Sequence, residues 1–200
     1  DNNGSPISTL LDIFEAFPEL DDWNFAGKLR IAAEITPRIN QFDALEIGAF
    51  VIRRRWRRSA DAIHDLIARA GYQDLLPALE ECRDLFGILE KILSPTLLGL
   101  RSVRLDWDDW YTAFTQCLVE LYPNGPQQDN LWKRAGGDAS VLVKSPTGRE
   151  SWQHAVRDLI DGRGGGKIST ERIIEEVKVD FNNDKINRLE WYYYELKKRY

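Results

Sequence analysis

The string Gly162-Arg163-Gly164-Gly165-Gly166-Lys167 invites a phosphate-loop reading. A Walker-type loop places Gly ahead of four residues, then Gly-Lys, then Ser or Thr. Here Asp161 stands at the first position and Ile168 follows the lysine. The preceding segment reads as helix, so no buried strand aims the amides, and the string reads as a helix–helix connection. His64 and His154 are the only histidines. A nucleophile needs a base beside it and an acid to orient that base. Neither Cys82 nor Cys117 has a histidine near it in sequence, and there is no Gly-x-Ser-x-Gly elbow. Catalysis, or a regulatory subunit sharing catalysis across chains, would need His64 or His154 beside an acid and a nucleophile in a cleft. No ligand spacing such as His-Glu-x-x-His occurs, so neither a metal nor another cofactor is expected.

The sharpest local feature is Arg53-Arg54-Arg55-Trp56-Arg57-Arg58, five arginines in six residues. It reads in three ways: a solvated helix end, a docking patch for an acidic protein surface, or a site for nucleic acid or acidic lipid. Acidic counterparts stand at Asp21-Asp22 and at Asp106, Asp108 and Asp109. Opposite patches on one chain permit head-to-tail association into a homo-oligomer. Tyr192-Tyr193-Tyr194 cannot all face inward on one helix, so at least one is a candidate anchor, with Tyr192 and Tyr194 the residues chosen.

These residues must be positioned by helices, because apolar residues recur three and four apart almost everywhere. Ile7 to Phe17, Phe25 to Ile35, Phe42 to Arg58, a segment capped by Ser59 and stopped at Gly71, and Leu75 to Leu93 read as five helices of one bundle. Ser94 to Leu105 reads as a joint. Asp106 to Tyr122, Gln127 to Ala135, Pro146 to Asp161, a helix capped by Ser169, and Lys185 to Tyr200 make a second bundle. The fold class is therefore all-α, with two tandem small helical bundles at 7–94 and 106–200, a joint at 95–105 and a disordered leader at 1–6. The segments Leu10 to Pro18 and Phe114 to Pro123 echo each other, as a duplicated module or as two amphipathic helices stopped the same way.

Composition narrows the function. The chain has 200 residues, 43% hydrophobic and 30% charged, which excludes wholesale disorder. No apolar run reaches the roughly 18 residues of a membrane span. Two cysteines are too few for a disulfide framework and suit a reducing cytoplasm. Met is absent, also from position 1, so a processed or trimmed start is expected. Lys and Arg number 27 against 32 Asp and Glu, a net charge of −5. Nucleic acid is not the default partner of such a chain. Of the seven tryptophans, Trp107, Trp110, Trp132, Trp152 and Trp191 lie in the second bundle, most of them expected in its core.

The second bundle carries a frame of strings: Leu118-x-x-Leu121-Tyr122-Pro123, Leu131-Trp132-Lys133-Arg134-Ala135-Gly136-Gly137-Asp138, Gly148-Arg149-Glu150-Ser151-Trp152, Gly164-Gly165-Gly166, and Asp180-Phe181-x-Asn183. From Trp107 to the C-terminus this resembles the bacterial effector-associated domain 1 family. The resemblance implies a small helical module of the death-like superfamily. It implies partners that are death-like or effector-associated proteins, fused to protease, NTPase or TIR-type effectors. Over a shorter string, Pro18 to Asp22 with the helices that follow, the first bundle is similar to a second type of effector-associated module. Together these imply a non-enzymatic adaptor or scaffold joining sensor and effector in a bacterial conflict system. The partner-binding residues expected are Arg53, Arg54, Arg55, Arg57, Arg58, Asp106, Asp108, Asp109, Tyr192 and Tyr194. The alternative is an anion, lipid or nucleic-acid binder that uses the arginines.

Overall fold

A computed structural model describes residues 5–199. Most of the 1–6 leader lies outside the described residues, as does Tyr200. Ser5 and Pro6 do not belong to a leader. Ser5 caps α1 (Pro6–Ala16), its hydroxyl oxygen accepting the Ser8 N–H, and Pro6 occupies the first turn, where no N–H is missed.

The described residues are all-α and contain no strand. They fall into two compact units that divide between Arg104 and Leu105. In the first, α2 (Asp22–Ile35), α3 (Gln41–Arg54), α4 (Arg57–Ala70) and α5 (Leu76–Cys82) follow α1, and the short α6 (Ile88–Leu93) and α7 (Pro95–Leu98) complete it. The side chains of Asp21 and Asn40 cap α2 and α3. Helix α3 packs on α5 so closely that a Cβ at Gly48 would lie 2.7 Å from Glu81 Cβ. Two expectations change here. The single helix expected from Leu75 to Leu93 is interrupted by a 3-10 turn at Arg83–Leu85. The segment expected as a joint belongs to this unit, because Leu97 and Leu100 are buried in its core.

The helix expected from Phe42 to Arg58 breaks at Arg55, which adopts a left-handed conformation (φ 54). Its N–H bonds the Ile52 carbonyl and the Trp56 N–H bonds the Val51 carbonyl, both at 3.0 Å. This is the Schellman ending of a helix, with Arg in the position usually held by Gly. The break places the Trp56 ring among Phe14, Phe25 and Phe50, with centroids 6.0, 5.5 and 5.3 Å away. The aromatic burial offsets the roughly 1 kcal/mol that a non-Gly left-handed residue costs. Ser59 is then not the cap of α4. It is buried, and the carboxylate of Asp22 on α2 accepts the N–H groups of Arg58 and Ser59, each at 2.8 Å, in the place of a local cap.

The second unit is built on α8 (Trp107–Leu121), flanked by α10 (Gly148–Ile160) and α12 (Asp184–Arg199), with α9 (Leu131–Arg134) and α11 (Thr170–Asp180) packed together. Trp110, Trp132 and Trp152 are fully buried, whereas Trp191 is 45% exposed. The Trp110 indole stacks on Phe114 at 4.7 Å and donates to the Leu189 carbonyl at 2.9 Å, pinning α12 to α8. The Gly164–Gly166 loop is used for close packing. A Cβ at Gly166 would collide with the Gly136 carbonyl, and the Lys167 N–H donates to that oxygen at 2.9 Å.

Candidate interaction surfaces

Residues from several strings of the frame meet inside the second unit. Tyr122 Oη donates to Asp180 at 2.6 Å, and Arg134 forks onto the same carboxylate while its Nε faces Glu176 at 3.3 Å. Burial, then the hydrogen bond to Asp180, pushes the Tyr122 hydroxyl well above its usual range. The bond from Arg134 holds Asp180 below the usual carboxylate range. Trp152 Nε1 donates to the Tyr122 carbonyl at 2.9 Å. A Cβ at Gly148 would run into the carbonyl of Pro123. These strings therefore specify a scaffold, and what binds a partner has to be sought on the outer faces.

The arginine string does not form one patch. Arg53 pairs with Glu15 at 2.7 Å, both side chains exposed. Arg54 lies over the Phe50 and Trp56 rings at 5.4 and 5.6 Å. Arg57 bonds Asp61, Glu90 and the Leu85 carbonyl and covers the Phe86 ring at 4.6 Å. Arg54 and Arg57 are thus spent within the unit, which corrects their place among docking residues. Arg55 is exposed on the break. Arg58 stacks at 4.5 Å on Trp23, itself 68% exposed. With Gly27 as an open floor, Trp23, Arg58, Arg30 and Asp61 line a groove of about 460 Å³ between α2 and α4.

The acidic candidates divide likewise. Asp106 caps α8 in a capping box with Asp109, so both carboxylates are engaged with backbone N–H groups. Asp108 is exposed and takes part in no ion pair among the described residues. Of the tyrosines, Tyr194 is 44% exposed as expected. Tyr192 is 2% exposed, and its hydroxyl donates to the Leu105 carbonyl at 3.2 Å, so it does not anchor a partner. The reason is that α12 packs against both α8 and α11, which widens its buried face to hold two adjacent tyrosines.

The histidines can now be judged as bases. His64 Nε2 lies 2.7 Å from Ser94 Oγ, in a cleft of about 400 Å³ lined by Arg57 and Phe86. Sequence reasoning missed this pair, which is thirty residues apart. Ser94 Oγ is also the cap of α7, accepting the Leu97 N–H at 3.2 Å. The nearest acid to Nδ1 is Asp65 at 3.9 Å, beyond hydrogen-bond reach and held by Arg30 and Arg69 at 3.3 and 3.5 Å. The pair has no orienting acid, and the serine lone pair is committed to a helix end, so the geometry is that of a clasp between α4 and α7. Burial pushes the thiols of Cys82 and Cys117 up to about 12, which keeps both protonated and poorly nucleophilic. Among the described residues no cluster of His, Cys, Asp and Glu could hold a metal ion.

His154 lies on the second unit's main groove, about 600 Å³ between α8 and α10. Comparison with protein-family models, curated proteins and solved structures finds no match to this chain.

Proposed function

We propose that the chain is a non-enzymatic cytoplasmic adaptor. Its two helical units join a sensor to an effector in a bacterial conflict system, the second acting as a death-like module. The observation that carries this reading is that each unit has an outward groove where exposed arginine stands beside apolar side chains: Trp23 and Arg58 on the first, Arg149, Arg157 and Ile160 on the second. Exposed Trp and Arg together are the composition of interface hot spots. No helix among the described residues is long and apolar enough to cross a membrane.

Titration of the whole chain with duplex DNA and with anionic vesicles, at low and at physiological salt, separates this reading from phosphate binding. An adaptor leaves both probes free at physiological salt. Tight binding that falls steeply as salt rises would place the arginines on phosphates and overturn it.

A further inference from the structure

The groove between α8 and α10 has a charge layout that says what fits it. The end of α8 adjoins the start of α10, since Gly148 abuts the Pro123 carbonyl and Trp152 bonds the Tyr122 carbonyl. The groove is lined from Asp108 to Val119 and from Arg149 to Ile160, so the two helices run antiparallel along its whole length. Arg149, Gln153 and Arg157 recur every fourth residue, one stripe of α10, with His154 beside them. The two arginines are eight residues apart, about 12 Å along the helix axis. Arg149 and Arg157 are exposed and form no ion pair or side-chain hydrogen bond among the described residues. Arg134 and Arg163 of the same unit, by contrast, each hold two carboxylates. Antiparallel packing puts Val119 at the Arg149 end and Ile160, 51% exposed, at the Arg157 end. Each unpaired cation therefore has an apolar neighbour.

We propose that this groove seats an amphipathic helix of a partner protein. That helix carries Asp or Glu at positions i and i+7 or i+8, with an apolar residue beside each. Two carboxylates at that spacing stand about 10–12 Å apart on one helix face, matching the two guanidiniums. Charge complementarity favours this occupant over a polyphosphate. Residues 105–200 carry 14 Lys and Arg against 16 Asp and Glu, and Asp108 lines the groove. A nucleic-acid backbone, one charge per about 1.7 Å of duplex, would meet that carboxylate along with the arginines, in a unit of net negative charge. Asp108 lies at the Arg157 end, so Arg149 carries the larger share of the attraction. The inference rests on the adaptor reading and names the partner chemistry for one of its grooves.

The test uses the whole chain and a side-chain-stapled helical peptide of sixteen residues with Glu at positions 4 and 11 and Leu at 5 and 8. Fluorescence anisotropy measures affinity, and isotope-edited spectra of His154 locate the site. The expected result is saturable binding that shifts the His154 signals. Arg149→Glu should weaken it about tenfold or more and Arg157→Glu less, while Trp23→Ala leaves it unchanged. The same peptide with both Glu replaced by Gln should bind at least tenfold more weakly. Melting curves of the variants should match the parent, since both arginines are exposed and unpaired. Equal binding of the Glu and Gln peptides, no binding of either, or tighter binding of a duplex oligonucleotide through Arg149 would each overturn the proposal. None of these outcomes touches the first unit's groove, so the adaptor reading is judged separately by partner capture.

Discussion

Replacing Trp152 by Ala should unfold the second unit preferentially. Trp152 is fully buried, and an indole of this kind removes roughly 150–250 Å² from water. At about 25 cal/mol per Å² that is about 4–6 kcal/mol of transfer free energy, and large-to-small aromatic changes cost about 3–5 kcal/mol in practice. The hydrogen bond is a small part of this. The Tyr122 carbonyl also accepts the Gly125 N–H at 3.0 Å, so losing the indole donor leaves no orphaned acceptor. Trp152→Phe should therefore cost only about 1–2 kcal/mol, the net value of the bond plus imperfect packing. A unit of this size has about 5–14 kcal/mol in hand, and each kcal/mol moves its melting point by about 4–8 °C. Hydrogen exchange of the whole chain, read by mass spectrometry, resolves the units. Protection should fall in α8, α10 and α12 and stay unchanged in α2 to α5. A loss under about 1 kcal/mol, or equal deprotection of both units, would refute the packing and the two-unit division.

Other outcomes follow from the same geometry. Arg55→Gly should stabilise the first unit by about 0.5–1 kcal/mol in denaturant titration, because Gly adopts the left-handed conformation without a Cβ penalty; a destabilised variant would show that the Arg55 side chain has a contact of its own. Ser94→Ala should cost about 1 kcal/mol through loss of the α7 cap, and the parent chain should take no label from a fluorophosphonate probe. A Ser94 adduct would make His64 and Ser94 a catalytic pair. Glu171 supplies a pH dependence. Burial alone would raise its pKa, but hydrogen bonds from Tyr193 and Lys197 and from the start of α11 carry it down to about 2. The folded value lies below the unfolded value of about 4.3, so this stabilisation is complete above about pH 4.3 and is lost as pH falls towards 2. With solvent screening it amounts to about 1–2 kcal/mol. Melting curves of Glu171→Gln should lose that acid slope, and an unchanged slope would place the acid sensitivity elsewhere.

The helices were legible because their signals are local. Ser169 caps α11 and Gly71 ends α4 in a left-handed conformation, both as read, whereas Asp21 and Asp106, read as acidic surface, are caps of α2 and α8. What was not legible depends on partners distant in sequence. Arg55 holds a position whose signature is Gly, and only the aromatic nest around Trp56 explains the break. Asp22 reads as part of an acidic surface, yet it caps α4 from another helix. Tyr192 looked exposed because one helix face was assumed, whereas α12 has two packed neighbours. The α8–α10 groove had a visible half. Arg149, Gln153 and Arg157 recur every fourth residue, but only the antiparallel placement of α8 turns that stripe into the wall of a groove.

Affinity capture from the native host, quantified by mass spectrometry, tests the adaptor directly when three whole chains are compared: the parent, Trp23→Ala with Arg58→Glu, and Arg149→Glu with Arg157→Glu. An adaptor with one binding groove per unit predicts that each double variant loses its own subset of partners and keeps the other's. Identical partner profiles for all three chains would contradict it.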